Sequence, residues 1–307
     1  MSSSQQVTSS LSPVVLVLVR IVVICIICGL MLGLSVAADS PVIELLEPVT
    51  VVEMVAIIAL GINLIVFIPA FALQTEKFYD LTGSLTYLTC TCYSLISGTR
   101  SVRAYVASGM VFVWAVRLGS FLFLRVMQAG KDDRFDEIKP NFLRFLIAWA
   151  LQGLWIFLTA YPVFIINSDV TTAEFGTVQD IVGCAIWGLG FLIEVVSDRQ
   201  KSYWRSLPEN KGRFIEYGLW YYSRHPNYFG EVVLWIGMFI ISTSSLQGTQ
   251  WFAVISPVFV FCLIFFVSGV RLLEIKSDER FGESDDYQNY KETTSIFVIL
   301  PKLGKRF

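Results

Sequence analysis

Residues 218–242 read GLWYYSRHPNYFGEVVLWIGMFIIS, and the change of character inside them decides the fold. The first half packs three tyrosines, Arg224, the only histidine of the chain (His225), Pro226, Asn227 and Glu231 into fourteen positions. The second half is apolar and carries no charge after Glu231. Pro226 has no backbone N–H and suits the first turn of a helix, so a helix is expected to begin near Asn227 and to run to about Ser242. The residue before a proline is pushed toward extended geometry, which predicts a turn over residues 223–225. A helix start offers unpaired N–H groups and partial positive charge, and both suit a phosphate. Tyr228, Glu231 and Trp235 follow at i, i+3 and i+7 on one face.

The same apolar character recurs along the chain. Of 307 residues, 55% are hydrophobic, 14% aromatic and only 16% charged, with mean hydropathy +0.64. A soluble domain carries about 25% charged residues, and about 20 consecutive apolar residues cross a bilayer as a helix. The expectation is therefore an all-α polytopic transmembrane bundle of about seven to eight spans. The apolar runs are residues 13–37, 50–73, 81–97, 104–127, 142–166, 178–196, 226–242 and 251–270. The first is read either as a retained helix or, from the small residues at 35–37, as a signal peptide. The third is rich in Thr, Ser, Tyr and Cys, so it should face the protein interior. Four segments are expected: a disordered start at 1–12, N-terminal membrane helices at 13–73, a larger membrane domain at 74–301 and a tail at 302–307. The short apolar run SIFVILP near the end is too short to span and is expected on the membrane surface.

Charge sorts the loops. With eight crossings and a cytosolic N-terminus, the loops near 77, 127–141 and 197–228 and the tail face the cytosol, leaving only Arg100 and Arg103 opposite. That satisfies the positive-inside rule and puts the 218–231 stretch at the cytosolic mouth of the bundle, where soluble phosphorylated cofactors are available. All six cysteines (25, 28, 90, 92, 184 and 262) lie in apolar segments, and with a single histidine no metal site is expected. Nucleic acid is not an expected partner.

Several constellations surround the central stretch. Glu194, Asp198, Lys201 and Arg205 form one helical face that runs from membrane to cytosol, either a functional row or a helix-end ion-pair ladder. Two roles are open to His225: general acid or base near neutral pH, or hydrogen bonding to a phosphate or backbone group. Arg224 suits a phosphate, and Lys211 with Arg213 suits either a 2′-phosphate or anionic lipid headgroups. Arg271 and Glu274 share a face in the tail, ahead of Tyr287 and Tyr290. Asp80 opens the polar third span, with Tyr87 two turns deeper, and is either a buried hydrogen-bond donor or a plain helix cap. Rossmann, Walker, GxSxG and HExxH patterns are missing from the sequence, so a bound nucleotide must use a membrane-fold site.

The string GLWYYSRHPNYFGE, followed by WIGMF and SGVRLLE, resembles the steroid 5-alpha-reductase-like membrane proteins, in particular their less characterised branch. RLGSFLFLRVMQAGKDDRF and EVVSDRQKSYW carry the same likeness, which extends over about residues 78–301. RHPxY alone is shared with the isoprenylcysteine and phospholipid methyltransferases, which use S-adenosylmethionine. Asn227 and Glu231 favour the reductase side. The resemblance implies a fold of about seven helices, one fewer than the crossings counted here, with NADPH in a cytosol-facing cofactor cavity and, if the chain is eukaryotic, a place in the endoplasmic reticulum membrane. It implies that Arg224, His225, Asn227, Tyr228 and Glu231 line the cofactor. Asp198, Gln200 and Lys201 would join from the preceding helix, and Arg271, Glu274 and Tyr290 from the tail. Asp80 and Tyr87 are the candidate catalytic groups that polarise a substrate carbonyl.

The implied reaction is reduction of a carbon–carbon double bond conjugated to a carbonyl in a lipid-soluble substrate, steroid-like or otherwise. A donor aimed at the carbonyl oxygen is then required. Two rivals stand beside it: an S-adenosylmethionine-dependent methyltransferase acting on a lipid or prenylated cysteine, and a lipid-binding protein without catalysis.

Overall fold

A computed structural model describes residues 12–38, 49–169 and 174–302. Among the described residues the regular structure is entirely helical, with one isolated bridge between Ser223 and Ser295. The segment read as a disordered start and the tail at 302–307 lie mostly outside the described residues. The chain divides into two compact units, Met1–Glu174 with Ser245–Phe252, and Phe175–Ser244 with Ala253–Phe307.

The first unit holds α1 (Pro13–Ala37), α2 (Val51–Ala72), α3 (Tyr79–Ser97), α4 (Val102–Ala129) and α5 (Phe142–Ser168). Local signals start these helices. Thr50 and Glu53 form a reciprocal capping box, so the acid at the head of α2 serves its helix end. Ser101 and Asn141 cap α4 and α5, and Gly130, at φ 82°, closes α4 in the left-handed region. α5 is the axis of the unit. It packs on α1, α2, α3 and α4, runs through Pro162, and every residue from Gln152 to Ser168 except Trp155 is buried.

The polar character of α3 explains itself in this packing. Thr82, Thr86, Tyr87, Cys90, Thr91 and Ser94 form its buried stripe, as expected for a helix turned inward. Thr82 and Thr86 donate to carbonyls one turn back, at 2.7 Å each. At its far end Asn167 of α5 donates to Ser94 at 2.8 Å and to Ser108 at 3.1 Å, all three buried. Arg103, expected in a loop, is 2% exposed and donates to the Glu174 carbonyl at 2.9 Å. At the opposite end the loop after α2 is tied to the loop before α5. The Lys139 ammonium lies 2.6 Å from Glu76, whose other oxygen accepts from the Asp132 amide at 2.9 Å. Burial pulls the Glu76 carboxyl up, but these two hydrogen bonds outweigh it and hold it below its ordinary value.

The second unit is built on α6 (Val178–Ser206) and α7 (Pro226–Ser242), followed by α8 (Ile255–Cys262), a π-helical turn (Leu263–Ser268), α9 (Val270–Phe281) and α10 (Asp285–Thr293). Glycines spaced by seven let α6 and α7 touch backbone to backbone. A methyl on Gly190 would lie 2.4 Å from the Leu234 nitrogen, and one on Gly237 would lie 2.4 Å from the Trp187 nitrogen. Gly183 and Gly230 are as tightly enclosed. Small residues that admit a neighbouring backbone are the usual means of joining helices in a membrane.

Among the described residues, six helical stretches are long and apolar enough to cross a membrane: Pro13–Ala37, Val51–Ala72, Val102–Gln128, Phe142–Ser168, Val178–Ser206 and Gly248–Phe281. The 17-residue α7 is apolar but shorter. The chain is an integral membrane protein. α3, counted among the spans in the sequence reading, is too polar to join the six. The last stretch, expected over 251–270, is 34 residues long and is interrupted by the π turn, where Gly269 N–H donates to the Ile264 carbonyl at 3.1 Å.

Candidate cofactor site

Pro226 is the first residue of α7 and His225 its N-cap, one residue from the start expected in the sequence. The turn ahead of it is held from three sides. Arg224 N–H donates to the Ser295 carbonyl at 2.9 Å, and the Ser223 hydroxyl donates to the Phe297 carbonyl at 2.7 Å. The Trp220 indole donates to the Ser197 carbonyl of α6 at 3.0 Å. Phe297 is 8% exposed and packs edge-on against Phe229, Phe261 and Phe265. The run SIFVILP therefore straps the turn, with Phe297 inserted into the unit.

Two motif side chains share one carboxylate. Glu274 of α9 lies 2.8 Å from the Arg224 guanidinium through one oxygen and 2.8 Å from His225 Nε2 through the other. His225 is 4% exposed, and its ring stacks on Tyr228 at 5.9 Å between centroids. Burial pushes the imidazole below its ordinary value; Glu274 pulls the other way, and the charges of Lys201 and Arg224 add to the depression. The balance favours the uncharged ring at neutral pH. His225 Nδ1, Asn227 Oδ1 and Arg224 Nε are buried and have no hydrogen-bond partner among the described residues. Such atoms are uncommon in a protein interior.

Beside this turn lies a cavity of about 330 Å³. Six cations stand in its walls: Lys201, Arg205, Lys211, Arg213, Arg224 and Arg280, against the single acid Glu274. The remaining wall is largely aromatic. Phe214 stacks on Tyr290 at 5.3 Å and meets Tyr287 at 5.3 Å and Phe281 at 5.8 Å; Trp204 and Trp220 complete it. Lys201 lies 4.3 Å above the Trp220 ring. Burial, with the charge of Asp278 next, pushes the Tyr287 phenol up to about 12, so it stays a neutral donor.

The residues singled out in the sequence divide into three groups. Lys201, Arg224, His225, Glu274 and Tyr290 line the cavity together. Asp198, Gln200, Asn227 and Tyr228 are not among its walls. Asp198 accepts from Asn227 at 3.1 Å, and Gln200 accepts from the Leu219 amide at 2.9 Å across Gly218, whose φ is 62°. The Tyr290 hydroxyl is engaged with the Trp220 carbonyl at 2.6 Å. Glu231 is buried on α7, while Arg271 is exposed and is not among the cavity walls. Trp204, Phe214, Arg280 and Phe281 were not singled out. Helical spacing from Lys201 to Trp204, and from Glu274 through Ser277 to Phe281, was the available signal.

In the first unit Asp80 and Tyr87 lie seven residues apart on one face of α3. The Asp80 carboxylate feels the charges of Arg134, Arg125 and Asp132, and no side chain caps α3. Tyr87 is 2% exposed and meets the rings of Trp114 at 5.0 Å and Trp155 at 6.2 Å edge-on. Among the described residues no cluster of three or more His, Cys, Asp or Glu could hold a metal ion.

Residues 66–294 match the model of a protein family of unknown function, DUF1295. The chain belongs to this family. The DUF1295 match takes in part of each unit and the whole RHPNYFGE turn. The family member is also similar to 3-oxo-5-alpha-steroid 4-dehydrogenase 1 of Bos taurus, at 38% identity over 232 residues, 62% of this chain and 87% of the bovine protein. The mouse protein of that name is 34% identical over 85 residues, 28% of this chain and 31% of its own length. No solved structure matches the chain.

Proposed function

We propose that the protein is an NADPH-dependent membrane reductase that saturates a carbon–carbon double bond conjugated to a carbonyl in a lipid-soluble, steroid-like substrate. The observation that carries this reading is the composition of the 330 Å³ cavity: six cations, an aromatic wall, and buried unpartnered polar atoms on Arg224 and His225. A phosphorylated dinucleotide asks for cations, flat apolar surfaces and polar groups with no protein partner, and these walls supply all three. The likeness to the bovine 3-oxo-5-alpha-steroid 4-dehydrogenase supports the same reading.

Lys201, Arg205, Lys211, Arg213, Arg224 and Arg280 hold the phosphates. Trp204 and Phe214 offer faces to the base, and Asn227, braced by Asp198, reads a polar group of the ligand. When bound, the cofactor supplies the hydride. On the substrate side negative charge must gather on the carbonyl oxygen. Asp80 and Tyr87 are the groups proposed to meet it, and loss of one such donor typically costs about 100- to 1000-fold in rate. If the chain is eukaryotic, the endoplasmic reticulum membrane is the proposed place of action.

The test is a titration of the purified protein with NADPH and, separately, with S-adenosylmethionine. Saturable NADPH binding is the expected result. Preference for S-adenosylmethionine would replace the reading with a methyltransferase, and silence with both would leave a lipid-binding protein.

A further inference from the structure

Glu274 contacts His225 through a single ring nitrogen, Nε2, at 2.8 Å. A carboxylate accepts and does not donate, so the shared proton sits on Nε2. In the uncharged ring the other nitrogen is then a bare acceptor, and Nδ1 is buried with no partner among the described residues. Among the described residues, the contacts given for the ring do not ask for the opposite arrangement. Tyr228 meets the ring by its face, Lys201 and Arg224 are cations that oppose a second proton on it, and Arg224 occupies the remaining oxygen of Glu274.

We propose that Glu274 is a positioning residue that locks His225 as the Nε2–H tautomer, making Nδ1 an acceptor for an N–H or O–H group of the bound ligand. His225 then reads a donor, such as a ribose hydroxyl or a carboxamide N–H, and neither clamps a phosphate nor supplies a proton. The ligand half of this inference rests on the dinucleotide reading above; the tautomer half does not.

The chain has one histidine, so selective labelling isolates it. The full-length protein, labelled with ¹⁵N-histidine in lipid nanodiscs, is examined by long-range ¹H–¹⁵N correlation at pH 7.5. The expected spectrum shows protonated Nε2 and unprotonated Nδ1 before any ligand is added. A protonated Nδ1, or an imidazolium, would overturn the proposal on wild-type protein alone. Glu274→Gln should mix the tautomers, because an amide both donates and accepts, and should weaken NADPH binding roughly tenfold. A variant that keeps the pure Nε2–H form would show that Glu274 does not set it. With saturating NADPH the Nδ1 resonance should move to its hydrogen-bonded position, and a bound complex with Nδ1 unmoved would refute the acceptor role. If NADPH does not bind, the reductase reading fails and the ligand-free spectrum by itself decides the role of Glu274.

Discussion

Gly190 of α6 and Gly230 of α7 face each other so closely that a methyl on either would lie 2.7 Å from the other's carbonyl oxygen. Gly183 and Gly237 repeat the contact seven residues along each helix, again at 2.7 Å. This seam fixes how α7, and with it the RHPNYFGE turn, sits on the helix that carries Asp198 and Lys201. Gly230→Val should destabilise the protein by about 1–3 kcal/mol, the usual cost of overpacking. Gly188→Val on the same helix, where nothing lies within 4 Å, should cost far less. Thermal unfolding of the two variants in detergent compares them, and equal losses would show that the seam does not hold the unit.

Asn227 joins the turn to α6 through Asp198 and leaves its amide oxygen unpartnered. Asn227→Ala should weaken NADPH binding about tenfold, the value of one well-made hydrogen bond, with little change in unfolding temperature. Unchanged affinity in a folded variant would remove Asn227 from the site.

The depressed pKa of His225 has a definite sign. The unfolded ring titrates near 6.5, and the folded one at a lower pH. Between those values the unfolded chain binds more protons, so this contribution to stability is intact above about pH 6.5 and is lost as pH falls below it. Wild-type protein should therefore lose more stability than His225→Gln between pH 7.5 and 5.5. Parallel pH profiles for the two would show that burial does not depress the ring.

The loop tie in the first unit is a buried ion pair, with the Glu76 side chain 3% and the Lys139 side chain 15% exposed. Lys139→Met leaves a carboxylate uncompensated and should cost about 3 kcal/mol. The double variant Glu76→Leu with Lys139→Met should recover most of that loss. A double variant as unstable as the single one would mean that the backbone contact to Asp132, and not the charge pair, holds the loops.

The strap on the turn can be cut at one side chain. Phe297→Ala removes a ring set among Phe229, Phe261 and Phe265 and should destabilise the second unit by about 3 kcal/mol. Val298→Ala, at a side chain 42% exposed, is the matched control. Unfolding followed through tryptophan fluorescence distinguishes them, and equivalence of the two would show that the strap rests on the turn without holding it.

The helices were legible because their causes are local. Apolar runs, capping pairs such as Thr50 with Glu53, and Pro226 at a helix start act within a few residues, and the RHPNYFGE string carried Arg224 and His225 of the side chains that line the cavity. The inward face of α3 was legible for the same reason, since a stripe of hydroxyls every fourth residue has only one side on which to be satisfied. What folding alone decided lies between segments distant in sequence. Ser223 meets Phe297 across 74 positions, His225 meets Glu274 across 49, and Phe214 closes an aromatic wall with Tyr287 and Tyr290. Nothing local marks such partners, because each is chosen by which surfaces remain uncovered once the glycine seam has set the helices together.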